Sequence, residues 1–469
     1  MKSAALAKAR GSASWRRSGR VRGFRACARP GDDTRAALGY NDPVPGPPDK
    51  FWGSFHSMLK KMMYPYIAAL LLVAACAAHA AEPAATSGKG WREDVDGVRV
   101  VHLQGAPREI GLQHGALLKN EIHFLLDYFI NEEKKFFGAG VDVMERNAPR
   151  LEKFIPADLI EEMHGIADGA GVPYQHILWA NTFLDVVSAI WSGVAPSCSN
   201  FAVLGSHSGT GQIVHGRNLD WSSNAKLAAA NTVFVIKPDN GIAFVSLSWP
   251  GMAGTLTGMN AQKISMGEMT SISDEATLDG TPFMIHLRIL LQNADTLDRA
   301  YEILETLPRT TGYNAVVTDG KIDDGFLAEM NASRIFRKGP ENGMLIRTNH
   351  YLHPGMQKTQ KKIHAILGSE KKKETFYRFE RLTQLLTDNA GKVNPELAMS
   401  FLGDKLNPET GKISPELENT VCKGNTLQSV VMLPETYEMH VAFKTIPAPD
   451  GGFVHLKFDL EPPATEARK

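Results

Sequence analysis

Two short apolar runs joined by a polar, glycine-bearing segment constrain this chain more than anything else in it. Phe201-Ala202-Val203-Leu204 and Gln212-Ile213-Val214-His215 read as strands, and Ser206-His207-Ser208-Gly209-Thr210-Gly211 between them holds residues that close hairpins. With the turn centred near Gly209-Thr210, antiparallel pairing predicts Cys198 opposite Asp220 or Trp221. A thiol, the guanidinium of Arg217 and the carboxylate of Asp220 then gather at one end of one hairpin.

That set suits a nucleophile. A thiol attacks a carbonyl as thiolate, so it needs a base within reach and a positive or polar setting. Arg217 and Asp220 bring opposite charges, but neither is a good base near neutrality. The remaining candidate is the α-amino group that Cys198 would gain on cleavage of the Ser197–Cys198 bond, whose pKa of about 7.7–8.0 lies close to working pH. Taken singly, a cysteine at a strand start is a small buried hydrophobe, and an arginine three residues before an aspartate is a surface pair. The combination is what points to chemistry.

The hairpin is accompanied by blocks that extend the argument along the chain: Arg108-Glu109-Ile110-Gly111-Leu112-Gln113-His114-Gly115, Glu161 through Gly171, Gly258-Met259-Asn260, Arg347-Thr348-Asn349-His350-Tyr351 and Thr426-Leu427-Gln428-Ser429-Val430-Val431. In this order they resemble the cysteine Ntn-hydrolases of the acyl-coenzyme A:6-aminopenicillanate acyltransferase type, with choloylglycine hydrolases and penicillin V acylases as more distant relatives. The resemblance covers about 90–460. One departure is the residue before the nucleophile, often Gly in that family and Ser197 here. The resemblance implies a four-layer αββα Ntn sandwich and self-cleavage between Ser197 and Cys198. It also implies an oxyanion role for Asn349, whose amide N–H would be worth roughly 3–4 kcal/mol of barrier. Finally, it implies a later arginine near the nucleophile, Arg378 or Arg381, of which Arg378 is preferred. Asn260 is read as shaping a turn.

Residues 1–57 are rich in Arg, Gly and Pro without apolar periodicity, and are read as a mis-called, disordered extension. From Met58, Lys60 and Lys61 precede the apolar run Ile67 to Ala75, the form of a secretory leader over 58–80. Ala78-His79-Ala80 before Ala81 suits signal peptidase, while Cys76 offers a lipoprotein alternative. The run is shorter than the roughly 20 residues a bilayer requires, so the expectation is an exported, periplasmic or secreted protein with no transmembrane domain in the mature chain.

Composition sets the remaining bounds. With 51 basic and 51 acidic side chains in 469 residues, nothing outside the extreme N-terminus favours nucleic acid as a partner. Of four cysteines, Cys198 and Cys422 belong to the mature domain, and pairing them would remove the nucleophile. Neither H-E-x-x-H nor C-x-x-C occurs, so no metal or other cofactor is expected. His114 and His164 are read as structural.

The helical period predicts helices over 109–137, 157–170 and 174–191 in a helix-rich section 91–197 that opens with a strand at 98–103. From Cys198 the pattern turns to short strands at 232–237, 243–248, 264–268, 315–318 and 325–330, with helices near 282–305 and 375–388 and a closing meander at 429–433, 440–443 and 453–458. This reads as an α+β fold with its core over 198–469. The function expected is cleavage of linear N-acyl amides of small molecules through an acyl-thioester on Cys198. The alternatives are an acyl-coenzyme A-dependent N-acyltransferase, against which an export signal argues, and a non-catalytic binding protein. Acyl chain, amine and oligomeric state are not legible.

Overall fold

The computed structural model of the chain describes residues 85–460 apart from 133–134, 137–138, 191–196 and 222, all within one compact unit, Ala81–Lys469. The expected extension 1–57 and expected leader 58–80, with Cys76, lie outside the described residues.

The described chain opens as a meander, β1 (Ala85–Ser87), β2 (Gly90–Val95) and β3 (Val98–Gly105). Asp96 and Gly97, with φ of 51° and 79°, supply the two positive angles that a two-residue hairpin link needs. Pro107 starts α1 (Pro107–Leu117), and the Glu109 carboxylate accepts from the Ala106 N–H to cap it. The single helix expected over 109–137 is divided at Leu118, whose φ of −119° is not helical. It continues as α2 (Lys119–Asp127) and a π turn at Tyr128–Glu132. Next comes α3 (Val141–Glu152), a helix not among those expected, which buries Met144, Ala148 and Leu151 at helical spacing and holds Pro149 inside it. The expected α4 (Ala157–Ala170) and α5 (Tyr174–Ile190) follow.

Helices α1 and α4 cross with their backbones in contact. A methyl on Gly111, Gly115, Gly165 or Gly169 would enter the opposite helix's main chain, which is the physical reason both sequence blocks carry glycines four apart. His114 accepts the Gly251 N–H at 2.9 Å and burial pushes its pKa down to about 3, while His164 stacks on Tyr174. Both are structural rings.

From Ser197 strands dominate: β4 (Ser197–Val203), β5 (Val214–Asp220), β6 (Thr232–Pro238), β7 (Phe244–Ser248), β8 (Thr257–Asn260), β9 (Ile264–Thr270), β10 (Tyr313–Asp319), β11 (Asp324–Met330), β12 (Ile335–Lys338) and β13 (Met344–Arg347). The last three are β14 (Thr426–Leu433), β15 (Glu438–Ala442) and β16 (Val454–Lys457). Helices α6 (Phe283–Asn293) and α7 (Leu297–Thr306) lie between β9 and β10, and α8 (Lys361–Asp388) and α9 (Pro395–Leu402) precede β14. The helix expected over 375–388 is the second half of α8, which breaks at Gly368, φ 80°.

The strands form a ten-stranded sheet in the order β1-β2-β3-β6-β7-β8-β9-β10-β11-β12 and a six-stranded sheet in the order β13-β4-β5-β14-β15-β16. Strand alternation then decides the layers. Val98, Val100, Val233 and Val235 of the larger sheet meet Val430, Met432, Val441 and Leu456 of the smaller. Val101, Leu103, Phe234 and Ile236 turn the other way, into a core with α1 and α6, and Phe201, Val203, Val431 and Leu433 face α8 and α9. The result is helix, sheet, sheet, helix: the αββα sandwich expected. Because β3 pairs in parallel with β6, the section before Ser197 and the section after it share one core.

Asp185 anchors α5, the last helix before the hairpin, by accepting the Phe283 N–H at 3.0 Å and the Thr310 hydroxyl. Its Oδ2 is buried with no hydrogen-bond partner among the described residues, and burial pushes its pKa up to about 7. A folded pKa above the unfolded value means the folded state holds the extra proton, so this contribution is present in acid and lost as pH rises towards 7. Relative to Asp185→Asn, the wild type is expected to lose about 2 kcal/mol of stability between pH 5 and pH 8. Urea denaturation of both proteins at the two pH values measures it; a constant difference would refute the assignment.

Candidate active site

The hairpin that carries Cys198 forms with a register different from the one its polar segment suggests. Val203 pairs with Val214, Cys198 with Leu219 and Ser197 with Asp220, so the link is the ten-residue stretch 204–213, with a 3-10 turn at Gly205–His207, and no tight turn at Gly209-Thr210. The expected placement of Cys198 opposite Asp220 or Trp221 is therefore corrected. The consequence is chemical, because a shift of one residue exchanges faces. Cys198, Asn200, Arg217 and Leu219 share the face towards the ten-stranded sheet, whereas Ser197 and Asp220 share the opposite one.

On the first face, Arg217 is almost wholly buried and donates to Cys198 Sγ at 3.4 Å. Its other donors go to the Glu268 carbonyl at 2.8 Å, to Thr257 Oγ1 and to Glu268 Oε2 at 3.3 Å. Glu268 also accepts from the Thr270 hydroxyl at 2.7 Å, and burial pushes its pKa up to about 7 against the pull of Arg217. The Cys198 thiol is fully buried and its pKa is pushed up to about 12: desolvation is the largest cause, Arg217 opposes it, and Glu268 and Asp220 reinforce it. His215, on the same face, is held by Ser265 at 2.7 Å and Asn200 at 2.9 Å, and burial beside Arg217 pushes its pKa down to about 3. That ring is committed elsewhere.

The backbone of Cys198 is held as tightly as its sulfur. Its N–H donates to Asn349 Oδ1 at 2.6 Å and its carbonyl accepts from Arg378 Nη1. Arg378, fully buried, also donates to Ser199 Oγ and to Asn349 Oδ1, each at 3.0 Å, and pairs with Glu374 at 2.8 Å. Two donors thus converge on the Asn349 oxygen, which fixes its amide with Nδ2 donating to the Thr270 carbonyl at 2.8 Å. Arg381, three residues on, pairs instead with Asp404 at 2.6 Å. Of the two candidate arginines the site uses Arg378. Asn260 bonds the Leu291 and Ala294 carbonyls and the Gln262 and Ile264 N–H groups, shaping its turn as expected.

On the second face, Asp220 Oδ1 accepts from the Thr426 hydroxyl at 2.6 Å, while Oδ2 is buried without a hydrogen-bond partner among the described residues. Burial raises its pKa, and Arg378 and Lys423 hold that rise back. Lys423 Nζ lies 3.4 Å from Ser197 Oγ and 2.8 Å from Glu374 Oε1.

The other four expected site residues thus lie about Cys198, Arg217 beside its sulfur, Asn349 and Arg378 on its backbone, and Asp220 on the opposite face of the hairpin. Sequence reading missed Glu268, Glu374 and Lys423. Glu374 had a signal, since it stands four residues before Arg378 on one helix, and Glu268 had a weaker one as a carboxylate inside an apolar strand. Lys423 sits in a loop whose course no local pattern predicts. Among the described residues no group of His, Cys, Asp and Glu could hold a metal ion, and no helix is long and apolar enough to cross a membrane.

The fold and this site define a two-sheet sandwich built around a buried, fully hydrogen-bonded cysteine. Residues 207–445 match the family model described as acyl-coenzyme A:6-aminopenicillanic acid acyl-transferase, about half of the chain, and the protein belongs to that family. The match begins after Cys198 and includes Arg217, Asp220, Asn349 and Arg378. An uncharacterized protein of Archaeoglobus fulgidus is 27% identical over 382 residues, 71% of this chain and 62% of that one. Acid ceramidase of Rattus norvegicus is 26% identical over 176 residues, 35% of this chain and 40% of the relative. N-acylethanolamine-hydrolyzing acid amidase of Caenorhabditis elegans is 29% identical over 121 residues, 25% of this chain and 33% of the relative. In each case the chain spans less than two thirds of the relative's length.

Proposed function

We propose that this protein hydrolyses N-acyl amides with Cys198 as its nucleophile, after cutting its own chain between Ser197 and Cys198. One observation carries the reading: the sulfur, nitrogen and carbonyl of a single cysteine are each held by a side chain from elsewhere, Arg217, Asn349 and Arg378. A cysteine kept only for packing needs none of these. The names of the ceramidase and N-acylethanolamine amidase relatives agree with an amide substrate.

The proposed steps are these. In the uncut chain Sγ attacks the Ser197 carbonyl carbon, the C–N bond breaks as the C–S bond forms, and the thiol proton passes to the departing nitrogen. Water then cleaves the thioester, leaving a carboxylate on Ser197 and a free thiol and amine on Cys198. That amine, ordinarily near pKa 7.7–8.0, becomes the base that the buried thiol lacks. Asn349 Oδ1 already accepts from this nitrogen, and Asp220 Oδ2, buried without a hydrogen-bond partner among the described residues, is the proposed second acceptor for the amine. In turnover the amine takes the thiol proton, Sγ attacks the substrate carbonyl, and the proton goes on to the leaving amine. Export ahead of these events, with removal of the leader before Ala81, is part of the same proposal.

Intact mass and terminal sequencing of the protein purified from its exporting host test the reading. The expected result is two associated fragments, the second beginning Cys198-Ser199-Asn200. An active protein with an intact 197–198 bond would refute it.

A further inference from the structure

The cation at Lys423 stands on the side of the scissile bond that the thiol's partners leave alone. Arg217 attends the sulfur and Arg378 the Cys198 carbonyl, while Lys423 Nζ reaches Ser197 Oγ at 3.4 Å. The lysine is not free to wander. Its backbone N–H donates to Thr426 Oγ1 at 3.0 Å, whose hydroxyl in turn donates to Asp220. Glu374 holds its ammonium at 2.8 Å, and both side chains are only 17% exposed.

In the proposed self-cleavage Ser197 is the acyl group handed to Sγ. Counted from its carbonyl, the first carbon is the acyl carbon, the second is Cα and the third is Cβ, which bears the hydroxyl facing Lys423. Later substrates hand their acyl groups to the same sulfur, the C–N bond again breaking as the C–S bond forms. We propose that Lys423 is an acyl-side binding residue selecting acyl groups with a hydroxyl on their third carbon. The inference rests on the reading of Cys198 as a self-released nucleophile. It concerns the acyl half of the substrate, about which sequence and relatives are silent. A hydroxyl fits better than a carboxylate, because Glu374 already neutralises the lysine and needs only to share it with a neutral acceptor.

The test compares anilides of 3-hydroxydecanoic and decanoic acid on the mature enzyme. The wild type is expected to favour the 3-hydroxyacyl anilide by about tenfold in kcat/KM, the worth of a hydrogen bond to a charged group. The ratio is expected to collapse towards one in Lys423→Met and to persist in part in Lys423→Arg, whatever either change does to the rate on both substrates. In the precursor, Ser197→Ala and Lys423→Met are expected to slow self-cleavage by non-additive factors, since they remove two ends of one contact. A wild-type ratio near one, or a ratio unchanged in Lys423→Met, with the chain cut at 197–198, overturns this inference and leaves the nucleophile standing. An uncut yet active wild type overturns both.

Discussion

Cys198→Ala is expected to give one uncut chain that turns over N-acyl amides at background, a fall on the order of 10⁴-fold or more. Removing a buried sulfur from a site with satisfied neighbours costs on the order of 1 kcal/mol, so the variant should still fold. Loss of cutting and loss of activity are then chemical and not the result of unfolding. Cys198→Ser keeps a nucleophilic atom on the same carbon, in contact with Arg217, but a hydroxyl beside the same guanidinium is a much poorer attacker than a thiol. It is expected to cut slowly and to hydrolyse amides poorly. Denaturing electrophoresis over several days, paired with turnover of a chromogenic N-acyl anilide, reads both effects. Cutting of the alanine variant at 197–198 would mean that another enzyme makes the break, and retained turnover would remove Cys198 from the mechanism.

The fold was legible where local pattern decides the outcome. Strands β6, β7, β9 and β11 lie at or within a few residues of the expected positions because apolar alternation and turn residues bound them. What sequence could not supply was register and long-range partnership. The link over 204–213 holds several glycines and hydroxyl residues, any of which could close a turn, and the Val203 to Val214 pairing emerges only when β5 also satisfies β14. That one-residue difference separates Asp220 from the thiol's face. Cys198, Arg217 and Asp220 were reached from the chemistry of the hairpin, whereas Asn349 and Arg378 came only through the resemblance to a family. Glu268 and Lys423 are 70 and 225 residues from Cys198 in sequence, and only the stacking of the two sheets and the 423–426 turn bring them to it. The glycines of the α1 and α4 blocks show the reverse case. They were visible in sequence, yet their reason, backbone contact between two helices, exists only in three dimensions.

Arg217→Met removes the one cation that touches both the thiol and Glu268, and its expected effects on stability and on chemistry come apart with pH. Glu268 is fully buried and Arg217 is its ion-pair partner at 3.3 Å, so deletion of the guanidinium leaves a carboxylate that is costly to keep charged, typically 3–5 kcal/mol for a broken buried pair. The carboxyl already has its pKa raised to about 7 by burial, and loss of Arg217 raises it further. A folded pKa above the unfolded value places the stabilising proton on the native state. In acid Glu268 is therefore neutral in both proteins and the variant nearly as stable as the wild type, and the deficit opens only as pH rises through the wild-type value of about 7 to 8 and above. The double variant Arg217→Met, Glu268→Gln has no buried charge to strand and is expected to recover most of the lost stability at pH 8. It should not recover self-cleavage, because neither change restores a cation beside Sγ. Arg217→Lys keeps a charge but not the fork that reaches sulfur, Thr257 and Glu268 at once, so it is expected to fold well and cut slowly. Urea denaturation at pH 5 and 8, with the cut fraction followed in parallel, separates the two roles. If Arg217→Met cut and turned over near the wild-type rate at either pH, its contact with the sulfur would be incidental to the chemistry and the guanidinium would be there for Glu268 alone.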